Sequence, residues 1–140
     1  MNILKEKLKK LLIQKGDDAL LDVKYMGIGY EDIIESYLEL NMTSPIHLIK
    51  NTWLDMGHGW GNGYVRIAES HKYYGKTYDD IDVSVHGGLT FSQFIKDSPN
   101  FSDGYWIGFD TSHSGDTLMF WTQDKVLEET IHLFKSIYGL

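Results

Sequence analysis

The chain contains no cysteine among its 140 residues. This absence excludes disulfides, thiolate catalysis, zinc ribbons and iron–sulfur ligation, and it suits a reducing compartment. No stretch approaches the roughly 20 apolar residues that a membrane-spanning helix needs. The N-terminal segment is basic, but no apolar run with a small-residue cleavage site follows it, so we expect no signal peptide. We therefore expect a soluble, cytoplasmic protein with no membrane partner.

Positive charge is scarce. Thirteen Lys and Arg residues face twenty Asp and Glu residues, which gives a formal net charge of -7. Double-stranded nucleic acid is bound through clustered cations, so we expect no partner of that kind. A small anion is still compatible with this charge, because a pocket can bind phosphate with a few backbone N–H groups and one Arg. An acidic surface can also attract a basic protein.

Sequence motifs with a known mechanism are absent as well. There is no Gly-x-Ser-x-Gly elbow for a serine nucleophile, no Walker or Rossmann glycine pattern, and no His-Glu-x-x-His metal spacing. The sequence therefore assigns no catalytic residue, no metal and no cofactor.

The pattern of apolar residues predicts helices at both ends and strands between them. A single α+β domain with a mostly antiparallel sheet of four or five strands accounts for this order. Residues 1–42 form an N-terminal helical segment, and we expect its first helix to be accessory to a core at 43–140 that carries the site. The predicted helices are 2–15, 30–40 and 123–138; the predicted strands are 46–55, 64–68, 81–85, 105–109 and 117–121, with a hairpin turn at Asn62-Gly63.

Two short polar clusters directly follow predicted buried strands. Residues 85–90 read Val-His-Gly-Gly-Leu-Thr, and residues 108–116 read Gly-Phe-Asp-Thr-Ser-His-Ser-Gly-Asp. Glycine lets a backbone approach a ligand, and His or Asp supplies a proton, a hydrogen bond or a metal ligand. We therefore expect both clusters to line one pocket, in which the ligand-binding residues are His86, Gly87, Gly88, Thr90, Asp110, Thr111, His113 and Asp116.

Each of these residues has a plainer interpretation. Asp, Thr and Ser are good turn formers, and glycines mark hairpins. Alternatively, Asp110, His113 and Asp116 could bind a divalent metal with His86.

Outside the clusters, Arg66 would suit a phosphate or carboxylate ligand, or it pairs with an acidic neighbour. Tyr74, Tyr78 and Asp80 lie in a tyrosine-rich turn, where aromatic rings beside hydrogen-bonding groups suit a planar ligand. The same turn could also be an ordinary polar loop.

Three blocks of the chain are Tyr-Gly-Lys-Thr-Tyr-Asp-Asp at 74–80, Val-His-Gly-Gly-Leu-Thr at 85–90, and Trp-Ile-Gly-Phe-Asp-Thr-Ser-His-Ser-Gly-Asp at 106–116. Together they resemble a family of small, mostly uncharacterised proteins of bacteriophage and prophage genomes. The similarity covers roughly residues 57–121 and implies a setting, the infected bacterial cell, more than a mechanism. Small phage proteins of this kind often counter bacterial defences.

Three functions follow as hypotheses. The first is an anti-defence protein in the host cytoplasm that sequesters a small nucleotide-like signalling ligand, and such a protein could also form a homo-oligomer. The second is a hydrolase of such a ligand that uses a metal or a general acid and base. The third is an inhibitor that binds a host defence protein through its acidic surface.

Overall fold

The structure is a computed structural model that describes residues 3–52 and 57–140. The predicted α+β architecture, with helices at both ends of an antiparallel sheet, is confirmed. None of the described helices combines the length and apolar character needed to cross a bilayer. The elements are α1 Ile3–Lys15, a 3-10 segment Gly16–Asp22, α2 Val23–Met26, α3 Tyr30–Glu39, β1 Ile46–Lys50, β2 Gly61–Ile67, a 3-10 turn Tyr78–Asp80, β3 Phe91–Ile95, β4 Gly104–Phe109 and α4 Gln123–Tyr138.

The four strands lie in the order β1-β2-β4-β3, and every neighbouring pair is antiparallel. Val65 lies opposite Ile107, and alternate residues of both strands share the face that packs into the core. Helix α4 covers this face. It comes so close at Gly63 that a β-carbon there would lie 1.9 Å from the Thr130 hydroxyl oxygen, so a side chain at this position would push α4 away.

The opposite face of the sheet carries an aromatic cluster. The Tyr64 ring lies 4.9 Å from the Phe101 ring and 5.1 Å from the Phe91 ring, measured between centroids. Trp106 adds to the cluster at 5.4 Å from Phe101. Edge-to-face and tilted contacts of this kind stabilise aromatic pairs beyond their buried area. The loop that joins β3 to β4 is therefore held against the sheet.

Arg66 projects from β2 on this second face, as its alternation with Val65 and Ile67 predicts. Its five N–H groups all find acceptors inside the chain. Two go to the carboxylate of Asp17, two to the hydroxyl and carbonyl of Thr43, and one to the Ser102 hydroxyl at 2.7 Å. The guanidinium therefore joins the segment after α1, the segment before β1 and the loop before β4.

Two tyrosines extend this network. The Tyr37 hydroxyl of α3 donates to Asp17 at 2.6 Å. Burial and the adjacent Asp17 charge raise the pKa of Tyr37, so its hydroxyl stays protonated and keeps donating. The Tyr138 hydroxyl at the end of α4 donates to the Arg66 carbonyl and accepts the Ala68 N–H at 2.9 Å. Both helices are thus tied to the same stretch of β2.

Two strand predictions are wrong. Residues 81–85 form no ladder: Ile81 packs on the core, and the open side of β4 is already paired with β3. Residues 117–121 form a turn closed by the Trp121 N–H and the Thr117 carbonyl at 2.8 Å. Ile81 and Trp121 pack on the core without sheet pairing, whereas Met119 and Phe120 are exposed.

Other boundaries also differ. The sequence missed β3, whose Phe91, Phe94 and Ile95 do not alternate cleanly. The predicted strand 46–55 ends at Lys50, and its residues 53–55 lie outside the described residues. Asn62-Gly63 lies within β2 and is not a turn. The predicted ends of the last helix are confirmed, with the Thr122 side chain accepting the Lys125 N–H and Gly139 in the left-handed conformation.

Helix α1 contributes to the main hydrophobic core. Leu8 and Leu12 are 0% and 1% exposed and belong to the same cluster as Val65 and Phe134. The helix also packs on α3, and Lys5 bridges Glu39 at 2.8 Å. We therefore expect α1 to stabilise the fold, in place of the accessory role expected from its position in the sequence.

Removing the Arg66 charge should destabilise the protein strongly. In Arg66→Met the Asp17 carboxylate, whose side chain is only 15% exposed, loses its counter-charge, and breaking a largely buried pair in this way costs about 3–5 kcal/mol. Lys15→Met is the control, because it removes the exposed pair with Asp22, which stabilises by at most about 1 kcal/mol. Urea unfolding measures both. Equal losses for the two variants would contradict the role given to Arg66.

Neighbouring residues of α1 allow a test of its packing. Leu12 is 1% exposed and Ile13 is 70% exposed. Leu12→Ala should lower the free energy of unfolding by about 2–5 kcal/mol, the cost of a core truncation. Ile13→Ala should change it by less than about 0.5 kcal/mol, as at other surface positions. A small loss in Leu12→Ala would restore the accessory role of α1.

Candidate functional site

The loop after β4 meets the loop that leads toward β3, and the two bring together His86, His113 and Asp116. The Nε2 atom of His86 lies 2.8 Å from Asp116 Oδ1, and the Nδ1 atom of His113 lies 3.2 Å from Asp116 Oδ2. The two imidazole centroids are 5.5 Å apart with their planes nearly perpendicular. The expected convergence of the two histidines is therefore present, although residues 81–85 are not a strand.

Asp116 is the centre of this cluster and is only 5% exposed. Its Oδ2 accepts the backbone N–H of His113 at 2.9 Å, and its own N–H donates to the His113 carbonyl at 3.0 Å. These bonds close the turn 113–116 and fix the carboxylate. A buried carboxylate is costly unless a positive charge or a metal ion compensates it.

His86 is held from two sides. Its ring lies against the indole of Trp121, with centroids 4.1 Å apart. Its backbone N–H donates to Glu129 Oε2 at 3.0 Å, which ties the loop to α4. The sequence analysis did not identify Glu129. The two residues are 43 positions apart, and no local pattern in the sequence links them.

The contact between the loops depends on Gly87. Its φ angle is +68°, and a β-carbon there would lie 2.4 Å from Cε1 of His113. Gly88 also has a positive φ of +78°, but a β-carbon at this position would meet no described atom within 4 Å. Both positions favour glycine for backbone reasons. Only Gly87 also makes room for the His113 ring.

Asp110 adds a further carboxylate beside the histidines. Its Oδ1 lies 3.4 Å from His113 Nδ1 and accepts the Ser112 N–H at 3.0 Å. Together with Asp116 and Glu129, it gives the site a negative character. This surrounding favours a bound cation over an unaccompanied anion.

The neighbouring Thr111 supports the loop from within. It is fully buried, its hydroxyl donates to the Gly61 carbonyl at 2.7 Å, and its carbonyl accepts the Gly59 N–H at 2.7 Å. The hydroxyl and the carbonyl of Thr111 therefore both hold the loop against the start of β2. Thr90 is exposed and places β3 beside β4 by donating its N–H to the Gly108 carbonyl at 2.9 Å.

Other residues predicted for the pocket lie elsewhere. Arg66 and Tyr74 line a cavity of about 270 Å³ beside Gly104, at the start of β4. The His–Asp cluster follows Phe109 at the other end of this strand, roughly 17 Å away at the rise of an extended chain. The N–H groups of Arg66 are all bonded within the chain, and its acidic partner is Asp17. Of the two expected roles, the structure shows pairing with an acidic neighbour. Arg66 is not part of the His–Asp cluster.

The tyrosine turn is also separate from the histidines in its contacts. The Tyr74 ring packs on Phe94 at 5.3 Å. Tyr78 and Asp80 are exposed, with the Tyr78 N–H bonded to the Ser92 hydroxyl at 3.1 Å and Asp80 accepting from Thr77 at 3.3 Å. These contacts pin the turn to β3.

The donor atoms of His86, His113 and Asp116 all lie within 4.8 Å of one another. Imidazole nitrogen and carboxylate oxygen are ligands of zinc and of other first-row divalent metals. The geometry can therefore hold a metal ion with three protein ligands. Compared with protein-family models, curated proteins and solved structures, the chain matches none of them. The resemblance to phage proteins stays a prediction.

The two glycines beside His86 offer a matched test of the geometry. Gly87→Ala and Gly88→Ala both add a methyl group at positive φ, which costs about 1 kcal/mol or more in either case. Only the methyl group at 87 meets His113. We expect Gly87→Ala to shift the His113 imidazole NMR signals strongly and Gly88→Ala to leave them near their original positions. Equal shifts would contradict the described contact.

Proposed function

We propose that His86, His113 and Asp116 bind a divalent metal ion and that the protein is a metal-dependent hydrolase. One observation carries this proposal: two imidazoles and a buried carboxylate, from separate loops, place their ligand atoms within 4.8 Å of one another. A divalent cation would balance Asp116 and use both rings as ligands.

The arrangement fits a catalytic site better than a purely structural one. Structural zinc sites use four protein ligands, whereas catalytic sites use three and keep a position for water or substrate. The side chains of His86 and His113 are 25% and 34% exposed. The glycines Gly87 and Gly88 lie beside them. A ligand can therefore approach the proposed ion from the solvent.

Asp110 gives the site a candidate general base. Its carboxylate is one-third exposed and lies next to His113 without being buried like Asp116. In a metal-dependent hydrolysis, such a carboxylate would accept a proton from the attacking water. The proposed division of roles is thus ligation by Asp116 and proton transfer by Asp110.

The charge of the site bears on the substrate. Three carboxylates surround the histidines, so an anionic ligand would be repelled unless a cation came first. Hydrolysis of a small nucleotide-like ligand in an infected cell is a hypothesis that rests on the resemblance to phage proteins. Sequestration without a metal, and inhibition of a host defence protein, stay hypotheses with less support from this geometry.

Metal binding can be tested by titrating zinc and manganese into chelator-treated protein by calorimetry. We expect one ion per chain and at least a tenfold weaker affinity in His86→Ala, His113→Ala and Asp116→Asn, since changes to residues that only support a metal ligand already cost about 10–100-fold. The control is His132→Ala, a histidine of α4 outside the cluster. Equal affinity in all variants, or no binding, would contradict the proposal.

The stability of the same variants separates a functional site from a structural one. His86→Ala and His113→Ala should leave the metal-free fold nearly as stable. A loss above about 3 kcal/mol would place the histidines among core residues.

Turnover is assayed with bis(p-nitrophenyl) phosphate as a probe for hydrolysis. Asp110→Asn should lower the rate of hydrolysis while keeping the metal affinity. A phosphodiesterase rate unchanged by chelation would contradict the metal role.

A further inference from the structure

A cavity of about 430 Å³ opens at the C-terminal end of α4, between α2 and the loop after β2. This volume lies in the range of small-molecule pockets. The cavity shares no residue with the His86, His113 and Asp116 cluster, so any ligand it holds would be independent of the proposed metal ion. Six of the residues that line it are Lys24, Tyr25, His71, Lys72, Tyr73 and Gly139.

Its charge is opposite to that of the rest of the molecule. Lys24 and Lys72 line it, and no carboxylate does among the described residues. Neither lysine forms an ion pair with any residue of 3–52 or 57–140. The contrast is clear in the cavity beside Arg66, where Lys15 is accompanied by Asp17, Asp18, Glu69 and Asp103. In a chain of net charge -7, two unpaired ammonium groups on one carboxylate-free wall form a local positive centre.

His71 lines the same cavity as the two lysines. Burial lowers the pKa of this histidine, and the charges of Lys72 and Lys24 lower it further. The His71 ring is fixed, since Nδ1 accepts the Tyr73 N–H at 3.0 Å and Nε2 lies 2.8 Å from the Ile137 carbonyl oxygen. Nε2 is therefore the protonated nitrogen, and the ring is neutral. His71 is therefore a fixed part of the cavity wall and adds no charge of its own.

Two tyrosines give the wall aromatic surface. Tyr25 is 79% exposed, and the Lys24 ammonium lies 5.1 Å from its ring centroid. The Lys72 ammonium lies 5.1 Å from the ring centroid of Tyr73. Most of the Tyr25 ring is therefore open to solvent and accessible to a ligand. Beside a positive charge, it provides a stacking surface for a planar group.

Three hydroxyl groups that line the cavity are already bonded within the chain. Ser70 is occupied by Asp18 through both its N–H and its hydroxyl, and the Ser136 hydroxyl donates to the His132 carbonyl. The Tyr73 hydroxyl donates to the Asp82 carbonyl at 3.2 Å. An anion would therefore contact the two ammonium groups, and a ring would contact Tyr25.

We propose that this cavity binds a small phosphorylated ligand with a planar ring, such as a nucleoside monophosphate. The phosphate lies between Lys24 and Lys72, and the ring stacks on Tyr25. A charge-assisted contact between an ammonium group and the phosphate is stronger than a neutral hydrogen bond. The Tyr25 ring can stack on any nucleobase, because every base has an aromatic face. The site does not depend on the proposed hydrolase function.

The test uses three probes on the full chain: adenosine 5′-monophosphate, pyrophosphate and adenosine. Chemical shifts of backbone amides follow each titration. We expect the monophosphate to bind most tightly and to shift the amides of Tyr25, Lys72 and Gly139. Adenosine without phosphate should bind at least tenfold more weakly. Shifts that fall only at His86 and His113, or no saturable shifts, would overturn the proposal.

Matched variants separate the site from the effect of net charge. Lys24→Gln with Lys72→Gln should weaken the monophosphate and pyrophosphate at least tenfold. The control removes the same charge from exposed positions of α1, in Lys7→Gln with Lys10→Gln, and should weaken both less than threefold. Tyr25→Ser should weaken the monophosphate and leave pyrophosphate unchanged. Equal losses in both lysine pairs, or a Tyr25→Ser variant that binds the monophosphate as tightly as the original, would overturn it.

Discussion

The buried guanidinium of Arg66 is the interaction on which the arrangement of the other elements depends. It connects three segments that are distant in the sequence, through Asp17, Thr43 and Ser102. Because the planar guanidinium fork has fixed donor directions, it sets their positions relative to β2 and not merely their proximity. Tyr37 contacts the same Asp17 and brings α3 into the network.

This constraint acts on the candidate site through β4. Ser102 fixes the chain just before β4 begins at Gly104, and the strand is paired on both sides, with β2 and β3. Its other end then delivers the loop that carries Asp110, His113 and Asp116. The rigid part of the molecule lies at one end of the strand and the polar site at the other. Loops that extend from such a scaffold hold their binding groups in fixed positions. The cluster of His86, His113 and Asp116 is rich in carboxylates, whereas the cavity at the end of α4 is lined by two lysines. This difference in charge argues for different ligands. The net charge of -7 for the whole chain does not reveal it.

Local patterns in the sequence were sufficient for the fold class and for the histidine pair. The leucine and isoleucine spacing of α1, α3 and α4 predicts those helices, and the two glycine-containing clusters predict that His86 and His113 converge. Long-range information was missing for the rest. Alternation in residues 81–85 could not distinguish packing on the core from ladder pairing, because β3 occupies the free edge of β4. Asp17 lies 49 positions from Arg66, and nothing in either local pattern selects one as the partner of the other. Contacts of this kind depend on how the elements pack, which a one-dimensional pattern does not contain.

X-ray absorption spectroscopy at the zinc edge tests the central claim most directly. Protein loaded with one equivalent of zinc should show a coordination shell of two imidazole nitrogens and carboxylate oxygen at about 2.0–2.2 Å, together with the outer-shell scattering of the imidazole rings. His113→Ala should remove one imidazole contribution from that shell. A shell made only of oxygen, or one with imidazole scattering unchanged in the variant, would contradict a metal centre built from His86, His113 and Asp116.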